Sequence, residues 1–185
     1  IEFFASIIPE IAQLSTKAER EKAIAELLVK DPSVHQSLEK QRAIIEKENI
    51  YFKFSGNFKY GNVGEITTYA LFVELADLTS NNNGFVGMII KSSIATSTTY
   101  GDFFRYLFDN YLLSFFDFKN WAQYFQGVGY HERYALLTLK KNRLLSHEIK
   151  FGFQLVTVDD LRDESRIFTL CTSDLELFSP LTNTI

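Results

Sequence analysis

Residues 66–91, ITTYALFVELADLTSNNNGFVGMIIK, constrain the fold more than any other stretch of the chain. They read as a mostly apolar helix, a polar turn and a short apolar strand. On a helical projection Thr67, Glu74 and Asp77 fall on one narrow stripe, while Tyr69, Ala70, Phe72, Val73 and Ala76 fill most of the remaining circumference. A helix that apolar is expected to be covered by protein on more than one side. Asn81-Asn82-Asn83-Gly84 supplies residues that tolerate left-handed backbone angles, which ends the helix and turns the chain. Phe85 to Ile90, apolar apart from Gly87, predicts a parallel strand buried on both faces. Helix, turn and strand together make half of an α/β unit.

The flanks extend this unit. Before it, Ser15-Thr16 is positioned to cap a helix with Ala23, Ile24, Leu27 and Leu28 on its apolar face, and Asp31-Pro32 ends that helix and starts another carrying Val34, Leu38, Ile44 and Ile45. After it, Thr99 with Asp102 resembles a capping box, and Phe103, Phe104, Leu107, Phe108 and Tyr111 share one helical face. Leu112 to Phe116 then reads as a second strand, giving a right-handed parallel βαβ unit. Tyr134 to Leu139 predicts a third strand. His147 to Val156 alternates with Ile149, Phe151, Phe153 and Leu155 on one face, so the sheet is expected to finish antiparallel. Ile167 to Leu170 predicts a small strand, and Ser173 is positioned to cap a last helical turn before Pro180.

Composition removes several classes of function. Lys and Arg total 19 against 23 Asp and Glu, a net charge of −4 that does not advertise a nucleic-acid binder. Cys171, the only cysteine, permits no intrachain disulfide and reads as a core residue. The three histidines and one cysteine are scattered and make no metal-ligand set. No apolar run approaches the ~20 residues of a membrane span. Nothing resembles a signal peptide, so a reducing, cytoplasmic setting is expected. Gly56, Gly61 and Gly64 punctuate a loop without the lysine-serine pair or apolar strand of a nucleotide loop, and an ordinary surface loop accounts for them. Asp159-Asp160 and Asp163-Glu164 read as a solvated acidic turn, and His131-Glu132 as a surface pair. Glu148 and Lys150 have a spacing met in metal-dependent nucleases, but strand alternation already explains it. The chain opens at Ile1, and its one methionine is Met88, which suits a domain fragment.

A set of phrases recurs in order: TTYALFVELADL, GFVGMIIKSSIAT, FFRYL, SFFDFKNW, FQGVGYHERYALLTL, then RIFTL and SDLELFSPLTNT. Together they resemble the distal half of the catalytic domain of N6-adenine DNA methyltransferases, of the fused restriction–modification and phage-defence type. The family's corresponding phrases are a strand followed by Pro-Ser-Gly-Ile-Ala-Thr, then Asp-Phe-Glu-Asn, then Phe-x-x-Val before a Leu-Leu-Thr-Leu strand. This chain departs at Lys91 (proline in the family), Ser93 (glycine), Thr67 (asparagine) and Lys119 (glutamate). The family's Asn-Pro-Pro-aromatic catalytic loop and its glycine-rich cofactor turn are both absent. In the family they precede this region, with the catalytic loop expected just upstream of Glu2-Phe3-Phe4.

The resemblance implies a partial Rossmann-like, S-adenosylmethionine-dependent methyltransferase sheet, a parallel βαβ unit plus antiparallel strands, preceded by a helical segment. Its boundaries are expected as a helical insertion over 1–60, the distal α/β half over 61–156, and a linker or the start of a target-recognition region over 157–185. The parent would bind S-adenosylmethionine and double-stranded DNA; the fragment alone is expected to bind no cofactor and to be inactive. No residue of the fragment is catalytic on this reading. Tyr69, Lys91, Ser92, Ser93, Thr96, Phe125 and Tyr134 would support the pocket for a flipped adenine. Core packing accounts for Tyr69 and Tyr134 equally well, and capping for the hydroxyl residues. A second class of function, a non-enzymatic DNA- or partner-binding module, rests on the basic turn with Lys140, Lys141 and Arg143 as DNA-contact candidates. A metal-dependent nuclease fragment is the third reading.

Overall fold

A computed structural model describes residues 2–141, 148–179 and 181–185, and the chain folds as two compact units, Ile1–Phe54 and Ser55–Ile185. The first is helical: α1 (Glu2–Ile7), α2 (Pro9–Gln13), α3 (Lys17–Lys30) and α4 (Pro32–Phe54). Thr16 caps α3 by accepting from the Glu19 N–H while the Glu19 carboxylate accepts from the Thr16 N–H, a reciprocal capping box. Asp31 accepts from Ser33 and Val34, and Pro32 opens α4. Phe4, Ile11, Val34 and Leu38 form a small core backed by Ala23, Ile24, Leu27 and Leu28. Ile44 and Ile45, further along α4, are exposed.

The second unit is α/β. Its elements are α5 (Thr68–Thr79), β1 (Phe85–Lys91), the short turn α6 (Ser93–Thr96), α7 (Gly101–Asn110), β2 (Leu112–Lys119), β3 (Arg133–Lys140), β4 (Ile149–Leu155), β5 (Phe168–Leu170) and α8 (Thr172–Phe178). The five strands lie in the order β1-β3-β2-β4-β5. β1 and β2 both run antiparallel to β3, which therefore separates the two parallel strands of the strand–helix–strand unit. β4 runs parallel to β2, and β5 antiparallel to β4. The expectation of an antiparallel finish thus fails at β4. Alternating burial identifies a strand but carries no information about its direction, which is set by where the chain crosses.

Residues from 157 on, expected as a linker or the start of a target-recognition region, fall in this unit, with β5 in the sheet and Leu170 and Leu175 in its core. The sheet packs one face against α5 and α7 through Val73, Phe103, Phe104, Leu107, Phe108, Phe115, Leu137 and Phe151. β1 is an edge strand, not a strand buried on both faces. Its exposure alternates, leaving Phe85 65% and Ile89 58% exposed.

α5 also reverses its expectation. The carboxylates of the polar stripe are buried, and Phe72, Leu75 and Leu78 are exposed. Glu74 accepts from the N–H groups of Lys59, Tyr60 and Gly61, so the glycine-punctuated loop cradles an anion that belongs to the protein itself. Asp77 accepts from the Tyr106 hydroxyl and pairs with Lys141. Buried charges of this kind persist only when paired and hydrogen-bonded.

Two smaller expectations also shift. Ser97, not Thr99, accepts the capping hydrogen bond ahead of α7, because a 3-10 turn over Thr98–Tyr100 intervenes. Cys171 is exposed; it sits at the N-cap of α8 and bonds Asp174 and Ser173, leaving Ser173 inside the helix. The segment Thr182–Ile185 lies across α6 and α7, with the Ile185 N–H donating to the Ala95 carbonyl at 3.0 Å.

A Cβ at Gly101 would overlap the Thr182 carbonyl oxygen. Gly101→Ala should therefore destabilise the unit by about 1–3 kcal/mol, read as a lower urea midpoint, and an unchanged midpoint contradicts this packing. A second outcome concerns alkali. Burial pushes the phenols of Tyr100, Tyr106 and Tyr134 up, reinforced at Tyr106 by its bonds to Tyr111 and Asp77. The folded state holds these protons after the unfolded chain begins to release them near pH ~10, so stability is untouched below that pH and falls as pH rises above it. Phenolate absorbance of this subset should appear together with loss of the circular dichroism signal. Their titration at the ordinary tyrosine pH in a still-folded protein would contradict the burial.

Candidate functional site

The carboxyl ends of the parallel strands β1, β2 and β4 gather at one edge of the sheet, where β3 begins: Lys91 lies opposite Tyr134, and Lys119 opposite Arg133. This is the edge at which open α/β sheets bind ligands. Two buried polar residues of β2 and its exit turn organise it. Asp117 is fully buried and accepts from Arg133 through Nε and Nη2, and from the Gln154 N–H at 2.9 Å. Gln154 has a left-handed φ of 55°, and Asp117 satisfies the N–H that this irregularity in β4 turns inward. Asn120, also fully buried, donates to the carbonyls of Phe125 and Val128 and accepts from the Phe125 N–H. It is the hub of an otherwise exposed loop that joins β2 to β3.

This framework shapes a cleft of about 270 Å³ lined by Tyr69, Ile89, Lys91, Phe125, Arg133 and Tyr134 among others. Tyr134 stacks on Phe118 with ring centres 5.4 Å apart, and Phe125 meets Tyr134 edge-on at 4.9 Å. The Tyr69 hydroxyl is 2.8 Å from Ser93 Oγ. Burial is the first cause of the raised Tyr134 phenol, with Tyr124 adding to it, so the ring is neutral at ordinary pH. The volume lies just below the ~300–1,000 Å³ of small-molecule sites, a size suited to one heterocycle.

Beside it lies a second, polar cleft of about 290 Å³ lined by Lys91, Ser92, Ser93, Thr96, His131, Glu132 and Arg133. Lys91 Nζ pairs with Glu132 at 3.2 Å. A third, shallow depression is bounded by Trp121, Gln123, Tyr130 and His131, with the Lys119 amino group 4.4 Å from the Trp121 ring centre.

Of the residues singled out from sequence, Tyr69, Lys91, Phe125 and Tyr134 share the aromatic cleft, and Lys91, Ser92, Ser93 and Thr96 the polar one. Lys140 and Lys141 lie at the other end of the sheet, where Lys140 is opposite Phe85. Lys141 pairs with the nearly buried Asp77, and Lys140 lies over the Phe85 ring. Arg143 lies outside the described residues. Asp117, Asn120 and Arg133 were not singled out. The available signal was a carboxylate inside the aromatic run SFFDF, a position that demands a buried partner. Among the described residues no group of His, Cys, Asp or Glu is arranged to hold a metal ion, and no helix is long and apolar enough to cross a membrane.

No protein-family model matches the chain, and comparison with curated proteins finds no match.

The Asn120 hydrogen bonds carry a direct consequence. Asn120→Ala should release the β2–β3 loop, raising amide exchange of residues 121–132 and lowering stability by about 1–3 kcal/mol, the cost of leaving buried backbone groups unpaired. Unchanged exchange in that loop contradicts the hub.

Proposed function

We propose that this chain is the distal part of an N6-adenine DNA methyltransferase domain of a restriction–modification or phage-defence system. On this reading the aromatic cleft is one wall of the pocket for a flipped adenine. The observation that carries it is the meeting of Tyr69, Phe125 and Tyr134 around one base-sized cleft at the carboxyl edge of β1. Those residues come from segments 69, 125 and 134, which the ordered phrases had already linked to the family's target pocket. A parallel strand–helix–strand unit followed by an antiparallel strand also supports the reading, as does the packing of α5 and α7 against the sheet. The open edge of β1 and the exposed Phe72, Leu75 and Leu78 of α5 suit a sheet that continues in a larger domain.

The chain's own residues do not fit S-adenosylmethionine. The glycine-punctuated loop ahead of α5 spends its N–H groups on Glu74, and the sequence holds no Asn-Pro-Pro-aromatic loop. No step of methyl transfer is therefore assigned to this chain. Its part is positioning. Phe125 and Tyr134 offer ring surface to a base taken out of the stack, Asp117 and Asn120 hold that surface rigid, and Ser93 fixes the Tyr69 hydroxyl.

Fluorescence titration separates the outcomes. Deoxyadenosine should bind the chain in preference to deoxycytidine, and Phe125→Ala should weaken it by roughly 1–3 kcal/mol, the usual value of one aromatic–base stack. S-adenosylmethionine should give no heat in calorimetry. Tight binding of S-adenosylmethionine without any binding of deoxyadenosine overturns the reading.

A further inference from the structure

We infer that the polar cleft beside the aromatic one binds a phosphate group, the phosphate carried by the nucleoside whose base enters the aromatic cleft. The inference rests on the base-pocket reading and extends it from a base to a nucleotide. Three observations carry it. First, the two clefts share the wall formed by Lys91, Glu132 and Arg133, so one ligand can occupy both. Beyond that shared charged wall the linings differ in chemistry: the aromatic cleft adds Tyr69, Phe125 and Tyr134, and the polar one adds the hydroxyls of Ser92, Ser93 and Thr96 and the His131 ring.

Second, Ser92 is 2% exposed, and its hydroxyl has no hydrogen-bond partner among the described residues, yet the residue lines the polar cleft. Its backbone N–H meets the Arg133 carbonyl at 3.4 Å, which ties the end of β1 to the start of β3. Buried hydroxyls are otherwise paired, and an orphan at a cleft calls for an acceptor.

Third, Asp117 holds Arg133 through Nε and Nη2. Among the described residues the Nη1 donors of the planar guanidinium have no hydrogen-bond partner, on a residue that lines both clefts. A guanidinium locked by a buried carboxylate, with one side left open, is preorganised for phosphate oxygens.

Glu132 opposes an anion, and its role is specific. Both members of the Lys91–Glu132 pair are more than half exposed, so the pair contributes little and an incoming phosphate can replace the carboxylate as the partner of Lys91. Removing the Glu132 charge therefore strengthens phosphate binding.

The test is an NMR titration of the 185-residue chain with inorganic phosphate, deoxyadenosine, and the 3′- and 5′-monophosphates of deoxyadenosine. One monophosphate should bind at least about tenfold tighter than the nucleoside, with shifts at residues 91–96 and 133. Ser92→Ala removes an unpartnered hydroxyl and so keeps the fold; it should abolish most of that gain while leaving nucleoside affinity in place. Glu132→Gln should enlarge the gain. If deoxyadenosine binds and neither monophosphate binds more tightly, or if Ser92→Ala leaves the gain intact, the phosphate site is overturned and the base pocket stands. If inorganic phosphate shifts residues 91–96 and no nucleoside binds, the phosphate site stands and the base pocket falls. If no ligand produces shifts, both fall.

Discussion

Asp117 carries a full charge to a position with no solvent contact, in the middle of the most aromatic strand of the sheet. A carboxylate there is tolerable only because Arg133 on β3 and the Gln154 N–H on β4 both reach it. β2 lies between those two strands, so one side chain ties three strands together at their ligand-binding end. A shift of β3 by one residue would take the guanidinium away and leave the charge alone. The register of β2 against β3 and the orientation of Arg133 both answer to satisfying this one group.

α5 solves the same physical problem in a different way. Its polar stripe is the face turned inward, because Glu74 ends the N–H groups of a glycine-rich loop and Asp77 receives Tyr106 and Lys141. The apolar residues that a hydrophobic pattern would bury are divided between the core and the surface, with Ala70 and Val73 in one and Phe72 and Leu78 on the other. The helix thus presents apolar groups on two faces, one in the core and one exposed.

Local signals were legible in the sequence where the chemistry is local. Thr16 with Glu19, Asp31 with Pro32, and the asparagine-glycine turn before Phe85 each specify a boundary by groups within a few residues of one another. Strand positions were legible for the same reason. What the pattern did not contain was direction and partnership: β4 alternates identically whether it runs with β2 or against it, and β1 is as apolar at an edge as in a centre. The cleft was legible in Tyr69, Phe125 and Tyr134 only through ordered phrases, since an aromatic residue by itself reads as core. The charge of Lys141 was legible but its partner was not, since Asp77 lies 64 positions away in the sequence.

The free edge of β1 has a colloidal consequence. Its seven residues, FVGMIIK, contain no proline and a single charge, Lys91, at the very end. Natural edges are usually blunted by inward charges, bulges or covering segments, and this one has its register with β3 unbroken along its full length. With Phe85 and Ile89 exposed beside a row of unpaired main-chain groups, it is a ready template for another strand. In a concentrated solution of the isolated chain that template meets copies of itself, which makes edge-to-edge pairing the route to association that this fold leaves open.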